Sequence, residues 1–174
     1  MSAAALTPER LAAMDHAAFM AAFGGLFEHA PWVAEAAWTQ HPFDSATALH
    51  DAMVAAVRGA PESQQLAFLN GHPELAGKEA QAGTMTGHST FEQQGAGLNA
   101  LSRDEFVELR RLNAAYLARH GFPFIIMVLG HSKPQIFEAL RTRTGHDTPR
   151  ELDEALNQIA RITRRRLDAM FAGA

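Results

Sequence analysis

The sequence lacks cysteine altogether and contains no long apolar run. Without cysteine the chain can form no disulfide, no thiolate nucleophile and no cysteine-ligated metal site, so any chemistry must use histidine, carboxylate, arginine or hydroxyl groups. A membrane-spanning helix needs roughly 18 apolar residues, and the starting MSAAALTPER lacks the basic and apolar parts of a secretory signal. The final AGA is not an SKL-type peroxisomal signal. We therefore expect no membrane contact and a cytoplasmic location.

A surplus of positive charge is missing as well. Lysine and arginine together number 15, against 19 aspartates and glutamates, which gives a net charge of −4. A chain with this balance has no overall attraction for a phosphate backbone, so nucleic acid is not an expected partner. Hydrophobic residues make up 47% of the 174 positions, which is enough for one domain with its own core.

Helix-start signals recur along the chain and predict a fold built from helices. Three of them pair Ser or Thr with Glu or Gln three positions later, the spacing of a capping box. In chain order the predicted starts are Thr7 with Pro8, Pro31, Asp44 or Ser45, Pro61, Ser102 with Glu105, Ser132 with Gln135, and Thr148 with Glu151.

Apolar residues at helical spacing predict which faces are buried. Phe19, Phe23 and Phe27 follow one another at intervals of four and are expected to lie in the core rather than at a cofactor. Behind Ser102, one helix face is predicted to carry Phe106, Leu109, Asn113, Tyr116 and Leu117.

Only the run FPFIIMVLG, residues 122–130, resembles a strand. It is short, apolar and bounded by glycines, and its pattern does not decide its conformation, so we expect it to be extended or irregular. The chain contains no second strand of similar quality to pair with it. We therefore predict an all-α fold, with residues 1–174 forming a single multi-helix domain.

The stretch STFEQQGAGL, residues 89–98, has two interpretations. Glu92 stands three residues after Ser89, which is again the spacing of a capping box. Gln93 and Gln94 add polar groups, and the following GAG lets other backbone approach closely, so this helix start is also suited to a ligand. Local spacing alone favours the cap.

His72 lies in GHPELAGK, directly before Pro73. Proline disfavours helical dihedral angles in the residue before it and suits the first position of a helix, so His72 is predicted to lie at a helix entrance. An isolated HP dipeptide is more typical of a solvated or capping histidine than of a reactive one. His72 and Glu92 are in separate segments and no HExxH pair occurs, so no metal site is predicted.

The segment RITRRRLDAM carries four arginines, and helix geometry turns one of them inward. At about 100° per residue, Arg166 falls about 20° from the centre of the buried face, near Ile159. The other three point away from that face, namely Arg161, Arg164 and Arg165. A buried guanidinium keeps its charge and needs a carboxylate, carbonyls or a ligand to compensate it. Geometry alone leaves a structural ion pair and a ligand contact equally open.

Together these motifs resemble those of the OHCU decarboxylases, the 2-oxo-4-hydroxy-4-carboxy-5-ureidoimidazoline decarboxylases of urate breakdown. GHPELAGK resembles the family's active-site histidine motif, and STFEQQGAGL its serine, glutamate and glutamine motif. FGGLFEHAPWVAEAAW, FPFIIMV and ITRRRL are similar to an early helix pair and to the remaining pocket segments. The resemblance covers nearly the whole chain, and the ordered combination is more specific than any motif alone.

The resemblance implies an enzyme that converts OHCU to (S)-allantoin and carbon dioxide without metal or organic cofactor, usually as a homodimer. Its partner is then a small ureidoimidazoline substrate. By position, His72 corresponds to the family's catalytic histidine, Glu92 to the acidic residue beside it and Arg166 to the pocket arginine. The residues expected to line the substrate are Pro73, Ser89, Thr90, Phe91, Gln93, Phe124, Ile125, Ile126, Met127 and Val128.

Two other functions stay open. The chain would act as a non-catalytic helical binding module if the same pocket retained a ureide or the helices engaged a protein. It would act as a hydrolase if His72 and Glu92 activated water against a related ureide. Neither alternative accounts for the combination of motifs.

Overall fold

The computed structural model describes residues 5–173, apart from the side chain of residue 79, and this part of the chain forms α-helices and no β-strand. The predicted all-α fold class is confirmed. None of the described helices is long and apolar enough to cross a membrane. The helices are α1 Pro8–Ala12, α2 His16–Phe23, α3 Pro31–Trp38, α4 Ala46–Gly59, α5 Glu62–Asn70, α6 Lys78–Ala82, α7 Gly87–Gly95, α8 Arg103–His120, α9 Lys133–Thr144 and α10 Thr148–Ala172.

The described residues group into two compact units. The first unit contains the residues up to Phe68 together with those from Ala160 onward, and the second unit contains Leu69–Ile159. The single domain over residues 1–174 stays a prediction, and its ends, residues 1–4 and 174, lie outside the described residues.

Side-chain caps begin several helices where the sequence predicts them. Ser45 accepts the N–H of Ala48 at 3.2 Å, and Thr7 accepts a backbone N–H in the same way before α1. The capping boxes predicted at Ser102 and Ser132 are both complete. Each cap satisfies an N–H of the first turn that has no partner within the helix, and these four predictions are confirmed.

The third predicted capping box, Thr148 with Glu151, is wrong. Thr148 is the first residue of α10, and the carboxylate of the preceding Asp147 accepts the N–H of Arg150 at 2.9 Å. The hydroxyl of Thr148 instead lies 3.0 Å from Nδ1 of His120. Because Asp147 caps the helix, the fully buried carboxylate of Glu151 is available for contacts elsewhere in the second unit.

The predicted aromatic core of the first unit is confirmed. Phe19 and Phe23 are fully buried and Phe27 is 2% exposed, and the rings of Phe19 and Phe23 meet edge to face at 4.9 Å. Helix α2 ends at Phe23, so Phe27 enters the core from the turns that follow rather than from the same helix.

The predicted buried face of α8 is confirmed in part. Leu109, Asn113 and Tyr116 are buried, whereas Leu117 is 38% exposed and Leu112 is buried in its place. The predicted face is therefore shifted by part of a turn, because 3.6 residues per turn carry a long stripe gradually around the helix.

The apolar run 122–130 is irregular, as predicted. Helix α8 is followed by Gly121, whose φ of 81° is left-handed and favours glycine. The chain then runs without regular structure through residues 123–128. Phe122, Phe124 and Ile125 are nevertheless buried, so this segment belongs to the core of the second unit.

We expect the substitution Ser102→Ala to lower the free energy of unfolding by about 1 kcal/mol, because it removes the acceptor of the N–H of Glu105. Urea denaturation followed by circular dichroism measures this loss. Ser63→Ala, an exposed serine within α5, is the matched control. Equal stabilities of the two variants would contradict the assigned cap.

Buried His50 predicts a pH-dependent stability. Its Nε2 lies 3.0 Å from the Thr163 hydroxyl, and burial, followed by the charge of Arg164, lowers the pKa of His50. As the pH falls below the ordinary histidine value of about 6.5, the unfolded chain therefore binds a proton before the folded chain does, and stability is lost. Between pH 7.5 and 5, the wild type should lose more unfolding free energy than His50→Gln. Equal losses in these two proteins, with exposed His131→Gln as control, would contradict this assignment.

Candidate active site

The His72 motif forms a loop rather than a helix entrance. Residues 71–77 contain no regular helix, and α6 begins only at Lys78. Ala76 has a φ of 47°, which a right-handed helix does not allow. A Cβ added at Gly77 would lie 2.7 Å from Cβ of Glu74, so the turn is tight. The prediction that Pro73 opens a helix is therefore wrong.

Two buried amide side chains hold this loop. Oε1 of Gln93 accepts the N–H of Ala76 at 2.9 Å, and Nδ2 of Asn113 donates to the carbonyl of Leu75 at 3.1 Å. An irregular buried backbone needs such partners, because it has no helix or sheet to satisfy its polar groups. The loop that carries His72 is thereby fixed to both α7 and α8, and His72 itself is half-buried.

Helix α7 starts before the residues that the sequence suggests as its cap. Thr86 is the N-cap and accepts the N–H of Ser89 at 3.3 Å, so Ser89 and Glu92 both lie inside the helix. The capping-box interpretation of these two residues is wrong. Because Glu92 lies inside α7, its position on the helix determines where its carboxylate lies. Glu92 is half-buried, and the neighbouring Gln93 is buried.

The remaining predicted residues of this helix differ in exposure. Ser89 is buried and Thr90 is half-buried, whereas Phe91 is 69% exposed. Phe91 therefore lies at the surface rather than in the core. Its predicted contact with substrate stays a prediction.

Gly95 brings α7 against the irregular segment. A Cβ added at Gly95 would lie 3.0 Å from Cδ2 of Leu129, closer than ordinary van der Waals contact. Gly95, the first glycine of EQQGAGL, therefore permits the close approach of another segment, as the sequence predicts. Helix α7 thus connects the loop of His72 with the run 122–130 within the second unit.

Side chains also fix the backbone of the irregular segment. Nη1 of Arg143 donates to the carbonyl of Ile125 at 2.8 Å, and Oε1 of Gln158 accepts the N–H of Met127 at 2.9 Å. The Arg143 guanidinium lies over the Phe124 ring at 4.6 Å. Ile126 and Val128 are buried and Met127 is half-buried, so all five predicted residues of this segment, 124–128, lie next to these anchors.

The carboxylate of Glu151 is the centre of the buried polar cluster behind that segment. It accepts from the Tyr116 hydroxyl at 2.6 Å and from Nε of Arg143 at 2.9 Å, and it lies 2.7 Å from Nδ1 of His146. Burial raises the pKa of Glu151, but the hydrogen bonds from Arg143 and Tyr116 outweigh burial, so the pKa lies below its ordinary value. Burial and the bond to Glu151 raise the pKa of Tyr116. The cluster therefore holds an ionised carboxylate and a neutral tyrosine at neutral pH.

Arg166 is buried in the first unit, as helix geometry predicts. It is 6% exposed, and Arg161 and Arg165 are exposed. Its Nη2 lies 3.6 Å from Oε2 of Glu28, which is also buried. The structural ion pair that the sequence left open is therefore present, and Glu28 is a partner that sequence reasoning missed.

The residues that sequence reasoning missed share one property. Glu28, Asn113, Glu151 and Gln158 are all polar and all buried. A buried polar group has to find a partner, so a polar residue on a predicted buried face is a candidate anchor. Asn113 lies on a helix face that the sequence predicts to be buried, so its need for a partner is readable there.

A cavity of about 580 Å³ also lies in the second unit. Two predicted site residues, Thr90 and Gln93, line it together with Met85, Leu98 and Phe106 among others. Neither the histidine nor the glutamate of the two motifs lines it. Within residues 5–173, no three histidine or carboxylate side chains are arranged to hold a metal ion.

Comparison with known proteins decides the family. The sequence model of the OHCU decarboxylase family matches residues 12–168. The chain belongs to the OHCU decarboxylase family. The matched range contains the His72 loop, helix α7, the irregular segment and Arg166.

Individual relatives agree with this assignment. The 2-oxo-4-hydroxy-4-carboxy-5-ureidoimidazoline decarboxylase of Haloferax volcanii is 37% identical over 96% of this chain and 97% of its own length. The protein of the same name from Mus musculus is 36% identical over 88% of this chain and 86% of its own length. The crystal structure of an (S)-allantoin synthase superposes with a TM-score of 0.76 and 28% identity over 95% of this chain. The chain spans only 54% of that protein.

We expect Gln93→Leu to loosen the His72 loop, because it leaves the buried N–H of Ala76 without its acceptor. Losing such an acceptor should speed amide hydrogen exchange at Ala76 by about tenfold or more. Gln94→Leu, at the exposed neighbouring position, is the control. Unchanged exchange at Ala76 in a folded Gln93→Leu protein would show that the amide does not hold the loop.

Proposed function

We propose that this chain converts OHCU to (S)-allantoin and carbon dioxide in urate breakdown. Membership of the OHCU decarboxylase family supports a carboxy-lyase. The observation that carries the proposal is the connection between motifs, because Gln93 binds the His72 loop and Gly95 packs on Leu129. Three segments that are distant in sequence thus contribute to one region.

The reaction needs an acceptor for two electrons. As the bond between the ring carbon and the carboxylate breaks, carbon dioxide leaves and the electron pair passes to the neighbouring ring C=N, whose nitrogen takes up a proton. A proton must then reach the carbon of the former C=N from one face, which sets the enantiomer, while the hydroxyl on the carbon that lost the carboxylate gives up its proton and becomes a carbonyl. The chain therefore has to move protons and orient the ring.

His72 and Glu92 are the residues for proton transfer. Both are half-buried, so their side chains combine partial shielding with access from solvent. His72 mediates proton transfer, and Glu92 orients it or adjusts its charge. Glu92 does this from within α7 and not from a helix start. Around the ring, Ser89 and Gln93 donate or accept hydrogen bonds, while Pro73, Thr90, Phe91 and the segment 124–128 complete the lining.

Arg166 recognises a carbonyl of the substrate rather than its carboxylate. The buried Glu28 beside it makes the pair neutral overall, so the pair attracts an anion less than a lone guanidinium would. An arginine that held the carboxylate equally before and during its loss would also improve binding without accelerating the chemistry. A carbonyl contact satisfies both conditions.

The oligomeric state and the independence from a cofactor follow from the family resemblance. The protein acts in the cytoplasm as a homodimer and uses neither metal nor organic cofactor. Size-exclusion chromatography with light scattering tests the dimer. Activity that survives exhaustive dialysis against a chelator tests independence from metal.

The activity is tested by generating OHCU in situ from urate with urate oxidase and 5-hydroxyisourate hydrolase, and following circular dichroism. Spontaneous decay gives racemic allantoin, so an optical signal reports catalysis. The wild type should produce (S)-allantoin rapidly, and His72→Ala should lose roughly 10²- to 10⁴-fold in rate. The control is His88→Ala, which alters an exposed histidine of α7.

Each contrary outcome has a distinct meaning. Folded wild type that neither accelerates the reaction nor gives an enantiomeric excess would overturn the decarboxylase. Saturable binding without turnover would then favour the binding module. Release of ammonia or urea without carbon dioxide would favour the hydrolase.

We expect Glu92→Gln to fold normally and to lower kcat by at least about tenfold, because the neutral amide cannot support a charged histidine as the carboxylate does. Thermal unfolding controls for folding, and Glu62→Gln at an exposed position of α5 controls for the loss of charge. Full activity in Glu92→Gln would remove Glu92 from the chemistry and leave it a structural residue.

A further inference from the structure

The cluster of Tyr116, Arg143, His146 and Glu151 is more elaborate than stability requires. Glu151 and Arg143 are 0% and 7% exposed, and Nη2 as well as Nε of Arg143 lies 2.9 Å from Oε2 of Glu151. Taking two charges out of water costs free energy, which their attraction and hydrogen bonds have to offset. Apolar residues of similar size would often stabilise a core at least as well. The charges therefore call for an explanation beyond folding.

Arg143 connects this cluster to the irregular segment. The same guanidinium that binds Glu151 donates through Nη1 to the carbonyl of Ile125 and lies over the ring of Phe124. The guanidinium thus contacts two consecutive residues, Phe124 and Ile125. A lysine could not replace it, because an ammonium group lacks the planar arrangement of N–H donors. Two residues further on, Oε1 of Gln158 accepts the N–H of Met127.

The hydrogen bonds made by Arg143 and Gln158 restrict the conformation of the middle of the irregular segment. Ile125 is held at its carbonyl and Met127 at its N–H, so the peptide groups of Ile126 between them are confined from both sides. An irregular backbone otherwise samples several conformations, and holding it in one is what a binding surface made of backbone groups requires.

We propose that Arg143, held by Glu151 and Tyr116, is a positioning residue that fixes the backbone of residues 125–127 in the conformation that contacts the substrate. The proposal rests on the proposed function, which assigns this segment to the lining of the site. Arg143 acts through the Ile125 carbonyl and does not itself touch the reacting atoms. Its loss therefore affects substrate binding before it affects the chemical step.

The test compares Arg143→Lys with Arg141→Lys on the same helix. Arg141 makes its ion pairs with Glu108 and Glu138 at the surface, so its variant controls for a generic arginine-to-lysine change in α9. For Arg143→Lys we expect KM to rise about tenfold and kcat to change less than about threefold, since contacts made equally in the ground and transition states affect binding alone. The backbone amide chemical shifts of residues 125–127 should move in Arg143→Lys and stay unchanged in Arg141→Lys.

The two readouts separate the possible failures. Moved amide shifts with a raised KM support the proposal. Unchanged amide shifts, or moved shifts with wild-type KM and kcat, overturn it. A wild type that forms no (S)-allantoin defeats the proposed function itself, and the positioning role falls with it even if the shifts move.

A second variant keeps the test decisive if Arg143→Lys fails to fold. Tyr116→Phe removes only the hydroxyl that donates to Glu151 and preserves the buried ring. It should shift the same amides by a smaller amount and raise KM by about two- to threefold. Identical amide shifts and KM in Tyr116→Phe and wild type would then overturn the proposal.

Discussion

The buried carboxylate of Glu151 is the group on which the candidate site of the second unit depends. It binds Arg143 and Tyr116, and Arg143 in turn binds the backbone of the irregular segment at Ile125. Gln93 and Asn113 likewise form side-chain hydrogen bonds with the backbone of the His72 loop. Both segments lie outside the helices, so their polar backbone groups have to be satisfied by side chains. Those side chains determine the shape that the segments adopt.

The local rules of helix formation were readable from the sequence. The caps at Thr7, Ser45, Ser102 and Ser132 depend on residues only three positions apart, and all four are present. The inward turn of Arg166 depends on helix geometry alone and is also found. What the same spacing could not tell is which of two nearby polar residues caps the helix. Ser89 with Glu92 and Thr148 with Glu151 have the spacing of capping boxes, but Thr86 and Asp147 are the caps.

Long-range partners were beyond sequence reasoning for a physical reason. Glu28 meets Arg166, and Glu151 meets Arg143 and Tyr116, only after the helices have packed. The sequence can indicate that a buried polar residue needs a partner, but it does not identify that partner. The same holds for Pro73, whose preference for a helix start is overridden by the left-handed Ala76 and its hydrogen bond to Gln93. Resemblance to the OHCU decarboxylases predicted the segments of the site, and the structure adds the side chains that hold two of them.

The proposed site includes His72, Glu92 and residues 124–128, none of which lines the cavity formed by Met85, Leu98 and Phe106 among others. The most direct test is a titration of the ¹⁵N-labelled wild type with (S)-allantoin, followed through backbone amide shifts. We expect saturable changes at His72, Glu92 and residues 124–128, with little change at Met85, Leu98 and Phe106. Changes at Met85, Leu98 and Phe106 without changes at His72, Glu92 and residues 124–128 would contradict the proposed site.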